Sequence, residues 1–434
     1  MSRFRLVLLF QFSFLIFHFF PQEKNFSGSL STLAGAALPY TENSGDFVLG
    51  EAKAEGELSV YTEESSLYAS GFLLYDALRN HADALDFVSG RENSGLSLKE
   101  AWFDYTEDFW AVRVGRQISA WGKADGLSVT DVLCPQDETQ FAASTYAESR
   151  LGINAVRFSL KSGSYALDAY CIPFFTPAAL PLSEGSPLKK VIFGDAAFSK
   201  DDIILPEVAV KNCEYGAKFS AYWTLFDLSL YAFYGFDDEP LVSYSLSDDN
   251  SLKLSGEYEK MLMFGADTAI PIGETVLRME AAFFPERKFA VSAEKQIEAI
   301  TQGMDSEKLI GRNQLKALAG IDWMPSSWTI TAQYYADCVF GEIEKIERQS
   351  YEHCATLSVS RSLFNETLDI SVNGILSLKD FDSVIKGKAE YKLSDQITLN
   401  IEGDFFNEGK DGKAGSYGKF KELSCLIIGG KYTF

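Results

Sequence analysis

The chain has few histidines, far fewer basic than acidic residues, and no long apolar run after its N-terminus. Among its 434 residues, 39 are lysine or arginine and 61 are aspartate or glutamate, which gives a net charge of −22. A protein that binds nucleic acid needs a basic surface for the phosphates. This acidic balance therefore argues against a nucleic-acid partner, and we predict none. No later stretch approaches the ~18 continuous apolar residues of a membrane-spanning helix, and none is predicted.

Cysteine occurs six times but never as a Cys-x-x-Cys pair, and only three histidines accompany it. This spacing argues against a zinc site, and we predict no metal and no cofactor. Cys171 and Cys213 fall at facing ends of neighbouring predicted strands, with the same parity. An oxidising compartment permits a disulfide between them, and two separate thiols are the alternative.

Catalytic motifs are missing as well. The sequence has no Gly-x-Ser-x-Gly elbow, Walker motif, dinucleotide fingerprint or EF-hand loop. Its histidines lie in the N-terminal apolar run, in a predicted loop and at the start of a predicted strand, at His18, His81 and His353. No group of residues predicts catalysis, and we do not expect an enzyme.

The N-terminus has the order of residues that is typical of a secretion signal. Two arginines precede an apolar run, residues 6–20, which is too short and too interrupted to span a membrane. We predict a signal peptide over residues 1–26 and a single domain over residues 27–434. An uncleaved signal anchor is the alternative.

Alternation of apolar and polar residues dominates the rest of the chain. In one run, Ile397, Leu399, Ile401 and Phe405 alternate with Thr398, Asn400, Glu402 and Asp404. Successive side chains of a strand point to opposite faces, so each such run has one apolar and one polar face. The runs are about 10–13 residues long, which exceeds the usual ~5–6 of soluble strands and suits a tilted strand in a bilayer.

The connections between these runs alternate between short turns and long loops. Residues 62–65 and 106–108 are predicted short turns, whereas residues 77–95, 118–149, 173–210 and 285–312 are predicted long loops, the last beginning at Pro285. Outer-membrane barrels have short periplasmic turns and longer outer loops, and a soluble sandwich has no reason to keep this order. Aromatic residues make up 14% of the chain, which fits girdles at two membrane interfaces.

These patterns predict an all-β fold, a transmembrane antiparallel β-barrel. Pairing the runs gives about 18 strands, or about 16 if residues 28–38 form a plug or a linker, and both numbers are even as such barrels require. The last run alternates and ends on an aromatic residue, Phe434. This ending resembles the sorting signal of outer-membrane barrels, so the barrel-assembly machinery and outer-membrane lipid are the expected partners.

A family resemblance appears within residues 98–150. The chain reads Lys-Glu-Ala-Trp-Phe-Asp at 99–104, Val-Gly-Arg-Gln at 114–117, Trp-Gly-Lys-Ala-Asp-Gly at 121–126, Asp-Val-Leu-Cys-Pro-Gln-Asp at 131–137 and Ala-Glu-Ser-Arg at 147–150. This segment resembles a signature of outer-membrane β-barrels of largely uncharacterised function, related to alginate-export and other porin-like barrels. The resemblance implies the outer membrane of a diderm bacterium. The signature has Asn where this chain has Cys134, which removes a side-chain amide cap.

The polar faces of the runs predict the lining of the barrel. A lysine or arginine on the lipid face at the midplane costs about 2–4 kcal/mol, so charged side chains are expected to face inward. Both signs occur, so the wall alone predicts no strong charge selectivity. For any single residue the alternative is a wall charge that is paired to a neighbour. The expected lining residues are Arg113, Lys218, Arg278, Glu280, Asp322, Lys386, Lys388, Glu390, Glu402 and Asp404.

The loop at residues 118–149 is the candidate for a constriction. It is too rich in apolar residues to look disordered, and a long loop of this kind is usually functional. We expect either that it folds into the lumen and narrows it, or that Trp121 pins it to the rim as a surface loop. The loop at residues 173–210 is expected to cover the rim. Besides Trp121, the expected constriction residues are Arg116, Lys123, Asp125, Asp131, Asp137 and Arg150.

The function that these features predict is a porin-like channel for the passive passage of small hydrophilic solutes. Two alternatives remain open. One is a transporter of hydrophobic molecules such as long-chain fatty acids, with residues 28–38 as a plug. The other is a surface-exposed binding or antigenic barrel in which acidic loops act.

Overall fold

The computed structural model describes residues 23–78, 94–123, 126–127, 129–139, 148–183, 186–194, 198–246, 252–304, 307–346 and 348–434, and the backbone of residues 89–91. The predicted signal peptide lies outside the described residues, except for residues 23–26, which begin the first strand. The signal peptide therefore stays a prediction. No helix in the described ranges is long and apolar enough to cross a membrane.

Eighteen antiparallel strands form a sheet that closes on itself. The first strand hydrogen-bonds to the second and also to the last, so the sheet has no free edge. In chain order the strands are β1 (Glu23–Ala37), β2 (Phe47–Tyr61), β3 (Ser65–Asp76), β4 (Ser94–Thr106), β5 (Trp110–Gln117), β6 (Ile153–Ser162), β7 (Tyr165–Phe174), β8 (Glu214–Tyr222), β9 (Asp227–Phe236), β10 (Lys260–Ile272), β11 (Thr275–Ala290), β12 (Leu309–Trp323), β13 (Trp328–Phe340), β14 (Tyr351–Leu363), β15 (Leu368–Ser377), β16 (Ser383–Lys392), β17 (Ile397–Asn407) and β18 (Cys425–Thr433).

The long loops carry further elements. Ser89–Arg91 pairs with β4. Leu241–Leu246 and Leu252–Glu257 form a hairpin to which Ile203–Ile204 adds in parallel, and we call these three strands the loop sheet. The loops also contain helices α1 (Pro187–Phe193) and α2 (Ala293–Thr301), and four short 3-10 helices at Lys200–Asp202, Val210–Asn212, Lys410–Gly412 and Gly418–Leu423.

Many wall strands have an exposed apolar face and a less exposed face that carries their polar side chains. On β12, Ile321 and Trp323 are 42% and 47% exposed, whereas Asp322 between them is 4% exposed. On β11, Met279 is 47% exposed and its neighbour Glu280 only 4%. A soluble barrel shows the opposite distribution, and a barrel that faces lipid shows this one. We therefore call the exposed apolar side the outer face and the polar side the inner face.

The predicted antiparallel barrel of about 18 strands is confirmed. The alternative with 16 strands is wrong, because residues 28–37 belong to β1 and are hydrogen-bonded on both sides. They cannot at the same time form a plug in the lumen. The alternation of short turns and long loops is also present, and Gly163 and Gly273 adopt positive φ angles in the tight turns after β6 and β10.

One predicted loop is shorter than the sequence suggested. Pro285 looked like the end of a strand, since proline cannot donate to a sheet hydrogen bond. In the structure β11 continues to Ala290, and the register shifts between Phe284 and Arg287. A bulge accommodates Pro285 without ending the strand. This bulge returns Arg287 to the inner face.

The loop between β7 and β8 crosses the mouth of the barrel. Its helix α1 places Leu188 in an apolar cluster with Val384 of β16, Phe406 of β17 and Phe420. In the ring of eighteen strands, β16 lies opposite β7. The predicted rim cover therefore reaches the opposite wall.

The seam between β1 and β18 is expected to be sensitive to side-chain size at Gly28. The amide of Gly28 donates to the carbonyl of Phe434 at 3.0 Å, and the amide of Phe434 donates back at 2.9 Å. A Cβ at Gly28 would lie 2.7 Å from the Phe434 ring and 2.9 Å from the Glu55 carbonyl. Gly28→Val should lower the free energy of unfolding by about 1–3 kcal/mol through overpacking. Urea unfolding in lipid vesicles measures this.

The matched control is Gly387→Val on β16, where an added Cβ has no heavy atom within 4 Å. It should unfold at nearly the wild-type urea concentration. Equal losses in both variants would contradict the assignment of Gly28 to a tight seam.

Candidate constriction site

The described residues between 118 and 139 fold into the barrel and pack on its inner face. Trp121 is 2% exposed, Val129 0% and Leu133 3%. The Trp121 ring lies 5.1 Å from that of Tyr231 and 5.9 Å from that of Tyr170. Strands β6 to β12 supply the wall side of this apolar cluster, with Ile153, Ala155, Tyr170, Ile172, Tyr231, Phe233, Met261, Met263, Ala282, Phe284 and Leu318. Trp121 is thus held against the wall inside the barrel, not on a rim.

Glu280 of β11 fixes the tip of this loop. One carboxylate oxygen accepts the amide and the hydroxyl of Thr130, both at 2.7 Å. The other oxygen accepts the amide of Lys123 at 2.8 Å. A buried carboxylate is tolerated when its lone pairs are satisfied, and the loop supplies these donors. Glu280, expected in the lining, therefore binds the loop.

Lys123 extends the contact along the inner face. Its carbonyl accepts a hydrogen bond from Arg278 at 3.0 Å, and its ammonium nitrogen lies 3.4 Å from Asp267. Arg278 in turn pairs with Asp322 at 2.6 Å. The structure therefore brings one predicted loop residue and two predicted lining residues into a single network. The charges alternate in sign, so they offset one another.

A second ion pair closes the base of the loop. Asp131 accepts the amide of Trp121 at 3.0 Å, and Arg150 donates to the same carboxylate through Nε and Nη2, both at 2.7 Å. Both nitrogens converge on Oδ2, while Oδ1 accepts the Trp121 amide, so the two oxygens of the carboxylate hold the two segments together. Asp131 and Arg150, both predicted, therefore join the two ends of the loop.

Cys134 occupies the position at which the resembled signature has Asn. Its side chain is 1% exposed, and its sulfur accepts the amide of Ser119 at 3.2 Å. The sulfur thus accepts a hydrogen bond from a backbone amide at the position where the signature has the side-chain amide of Asn. Burial raises the pKa of Cys134 to about 12.

The far end of the loop carries carboxylates. Asp137 accepts the amide of Thr139 at 3.0 Å and its hydroxyl at 2.6 Å, so it shapes a local turn. Glu138 is half-buried beside the carboxylates of Glu239 and Asp137, and burial together with this repulsion raises the pKa of Glu138 to about 8.

One expected constriction residue does not join the site. Arg116 has the parity of Val114, which is 41% exposed on the outer face, and its guanidinium donates to the carbonyl of Leu98 at 3.0 Å. The prediction that Arg116 belongs to the constriction is corrected, because the side chain of Arg116 leaves β5 on the opposite side from Arg113. Asp125 lies outside the described residues.

The remaining predicted lining residues lie on the inner face. Arg113 pairs with Asp104 at 2.8 Å and lies over the Trp102 ring. Lys218 lies 5.5 Å from the centre of the Tyr231 ring. On the far wall, Lys386 pairs with Asp404 at 3.4 Å and Lys388 with Glu390 at 3.1 Å. Glu402 shares a strand face with Asp404 and is 6% exposed.

A second polar cluster was not predicted. Arg287 pairs with Asp237 at 2.5 Å and donates to Gln314 at 2.8 Å. Gln314 donates to Asp337 at 2.8 Å, and Arg348 pairs with the same carboxylate. The alternation of apolar and polar residues along β12 and β13 indicates that Gln314 and Asp337 lie on the polar face. Arg287 was missed because Pro285 was taken as the end of its strand.

The cysteines are free thiols. Cys171 is in register with Tyr215, two residues after Cys213, so a disulfide between Cys171 and Cys213 stays a prediction. The described residues include no group of three or more side chains that could hold a metal ion.

Removal of the Glu280 carboxylate should loosen the loop. Glu280→Ala leaves the buried amides of Lys123 and Thr130 without their acceptor, and each unsatisfied group costs about 1–3 kcal/mol. The urea midpoint in vesicles should fall, and protease should cut within residues 118–139 from outside. Glu390→Ala is the control, since its ion pair is solvated and worth at most about 1 kcal/mol. An unchanged cleavage rate in Glu280→Ala would refute the anchor.

Cys134 should resist alkylation in the folded, reduced protein. Its thiol is buried and its pKa of about 12 leaves almost no thiolate at pH 8. Mass spectrometry after iodoacetamide treatment should find Cys213, which is partly exposed, modified before Cys134. Both should react in urea. Equal rates in the folded barrel would show that the loop core is open to solvent.

Solved structures share this fold at very low identity. The crystal structure of Pseudomonas aeruginosa OccK2 (OpdF) in complex with glucuronate is 8% identical, with a TM-score of 0.54 over 96% of this chain and 99% of that chain. The outer membrane protein OpdK of Pseudomonas aeruginosa is 8% identical, with a TM-score of 0.52 over 96% and 100%. Acinetobacter baumannii OccAB3 is 10% identical, with a TM-score of 0.50 over 95% and 99%. Identities this low show the fold alone.

No curated protein sequence matches the chain. A family model described as "Protein of unknown function (DUF1302)" matches residues 40–341, which is more than half of the chain. The match includes residues 118–139 and all of the strands β6 to β12 on which they pack. The chain therefore belongs to the DUF1302 family.

Proposed function

We propose that this protein is a passive channel in the outer membrane of a diderm bacterium, and that small hydrophilic solutes cross its lumen. The observation that carries the proposal is the one-sided position of residues 118–139. They pack on the inner face of β6 to β12, and none of the contacts that the structure describes for them involves β14 to β18. Barrels of this size enclose more space than their own side chains fill.

Outside the apolar cluster around Leu188, that wall carries exposed polar side chains. On β16, the side chains of Lys388 and Glu390 are 32% and 41% exposed, and Asn373 of β15 is exposed beside them. These residues provide hydrogen bonds to water and to polar solutes. Opposite them, the loop narrows the passage from the other side.

The charges at the narrowing are largely paired. Lys123 with Asp267, Arg278 with Asp322 and Arg150 with Asp131 each combine one cation and one anion. A channel lined in this way discriminates by size and by hydrogen bonding more than by charge. The glucuronate bound by Pseudomonas aeruginosa OccK2 is a small hydrophilic solute of the proposed kind.

Location and assembly are part of the same proposal. The apolar outer face supports contact with outer-membrane lipid, and the solved barrels of the same fold include an outer membrane protein. The last strand, followed by Phe434, is proposed to be recognised by the barrel-assembly machinery. No catalysis is proposed, and the link to alginate-export barrels stays a prediction. The fatty-acid alternative loses its proposed plug, because residues 28–37 form part of the wall.

Planar-bilayer conductance of the refolded protein tests the proposal. We expect stepwise channels in the wild type. Trp121→Ala removes the largest loop side chain from the core and leaves a cavity that costs about 3–5 kcal/mol, so the loop should fluctuate and the mean conductance should rise. Trp110→Ala is the matched control, because Trp110 stacks on Phe158 on the outer face and should leave conductance unchanged.

A folded wild-type barrel that carries no ion current would refute the proposal. If the wild type conducts and both tryptophan variants conduct equally, the channel stands but residues 118–139 do not form its constriction. Heat-modifiable migration on gels confirms that each variant is folded before it is measured.

A further inference from the structure

Residues 203–213, which we call the outer flap, expose four aliphatic side chains within a short stretch. Ile204 is 58% exposed, Leu205 57%, Val208 68% and Val210 85%. Single exposed aliphatic residues are common on protein surfaces, whereas a contiguous set of large ones marks an interaction site.

The outer flap lies over the outer face of the barrel. Lys260 of β10 has the opposite parity to Met261 and Asp267, which are 5% and 2% exposed on the inner face. Its ammonium group lies 5.0 Å from the centre of the Tyr234 ring, a lipid-side aromatic that is 45% exposed. The same ammonium group donates to the carbonyl of Lys211 at 2.6 Å. The flap is thus held against the side of the barrel, next to β8 and β10.

Contacts at both ends keep the flap in this position. At its start, Ile203 pairs with Gly256 in the loop sheet. At its end, Cys213 immediately precedes β8, whose Tyr215 is 48% exposed on the outer face. The flap is thus attached at Ile203 and Lys211, and its last residue adjoins the strand that carries Tyr215 in the apolar band of the outer face.

We propose that the outer flap docks onto the lipid of the outer leaflet and inserts its aliphatic side chains beside the acyl chains. Continuity with the apolar outer face selects lipid as the occupant, since the band below the flap is already the surface that faces the membrane. The ion pair of Glu207 and Lys211, at 3.7 Å with both side chains more than 70% exposed, suits the polar boundary above it. The proposal concerns the outside of the barrel and does not depend on conduction.

Photo-cross-linking tests the proposal. The photoreactive residue p-benzoyl-phenylalanine replaces Val210 in one variant and Val208 in another, and each full-length barrel is refolded into dioleoyl-phosphatidylcholine vesicles. The control replaces Lys413, which is 64% exposed in the loop between β17 and β18. After irradiation, mass spectrometry of the intact protein counts lipid adducts. We expect at least five-fold more lipid adduct at 208 and 210 than at 413.

The result is interpreted only for variants that migrate as folded barrels, and the two flap positions provide independent measurements. Lipid adducts at 208 and 210 that do not exceed those at 413 overturn the proposal. Cross-linked dimers in place of lipid adducts also overturn it, because they assign the flap to a second copy of the chain.

Discussion

The requirement that no backbone group be left unpaired governs this structure. Lipid offers no hydrogen bonds to a strand edge, so a sheet in a membrane has to close. Here closure is made by β1, which pairs with both β2 and β18. The reciprocal bonds between Gly28 and Phe434 complete the seam where the chain ends. Every other feature is arranged on this closed wall.

Closure of eighteen strands creates an interior that wall side chains alone do not fill. The protein fills part of it with residues 118–139, using an apolar core around Trp121 and a polar attachment at Glu280. The two kinds of contact have different roles. The apolar core supplies most of the attraction, whereas the carboxylate of Glu280 fixes the position of the tip because its acceptors must meet particular amides.

The same wall separates two environments on its two faces. Inside, cations and carboxylates pair across neighbouring strands, as Arg278 does with Asp322. Outside, aromatic and aliphatic side chains are exposed, and the outer flap at residues 203–213 contacts this face through Lys260. Two long loops thus serve both faces: residues 118–139 pack inside the wall, and the loop between β7 and β8 crosses the mouth through α1 and carries the outer flap.

The sequence by itself determined the strands, their faces and the order of turns and loops. These follow from local alternation, since a period of two is visible in any short window. It also placed Glu280, Arg278 and Asp322 on the inner face. Only the tertiary structure decided what these residues bind. The partner of Glu280 is Thr130, 150 residues away in the chain, and Leu188 meets strands on the opposite wall. No periodic signal encodes such contacts, because they depend on where the closed wall brings distant segments together. Arg287 was missed because a bulge after Phe284 changes the direction of its side chain. Arg116 was placed wrongly although its alternation with Arg113 already indicates the opposite face of the strand.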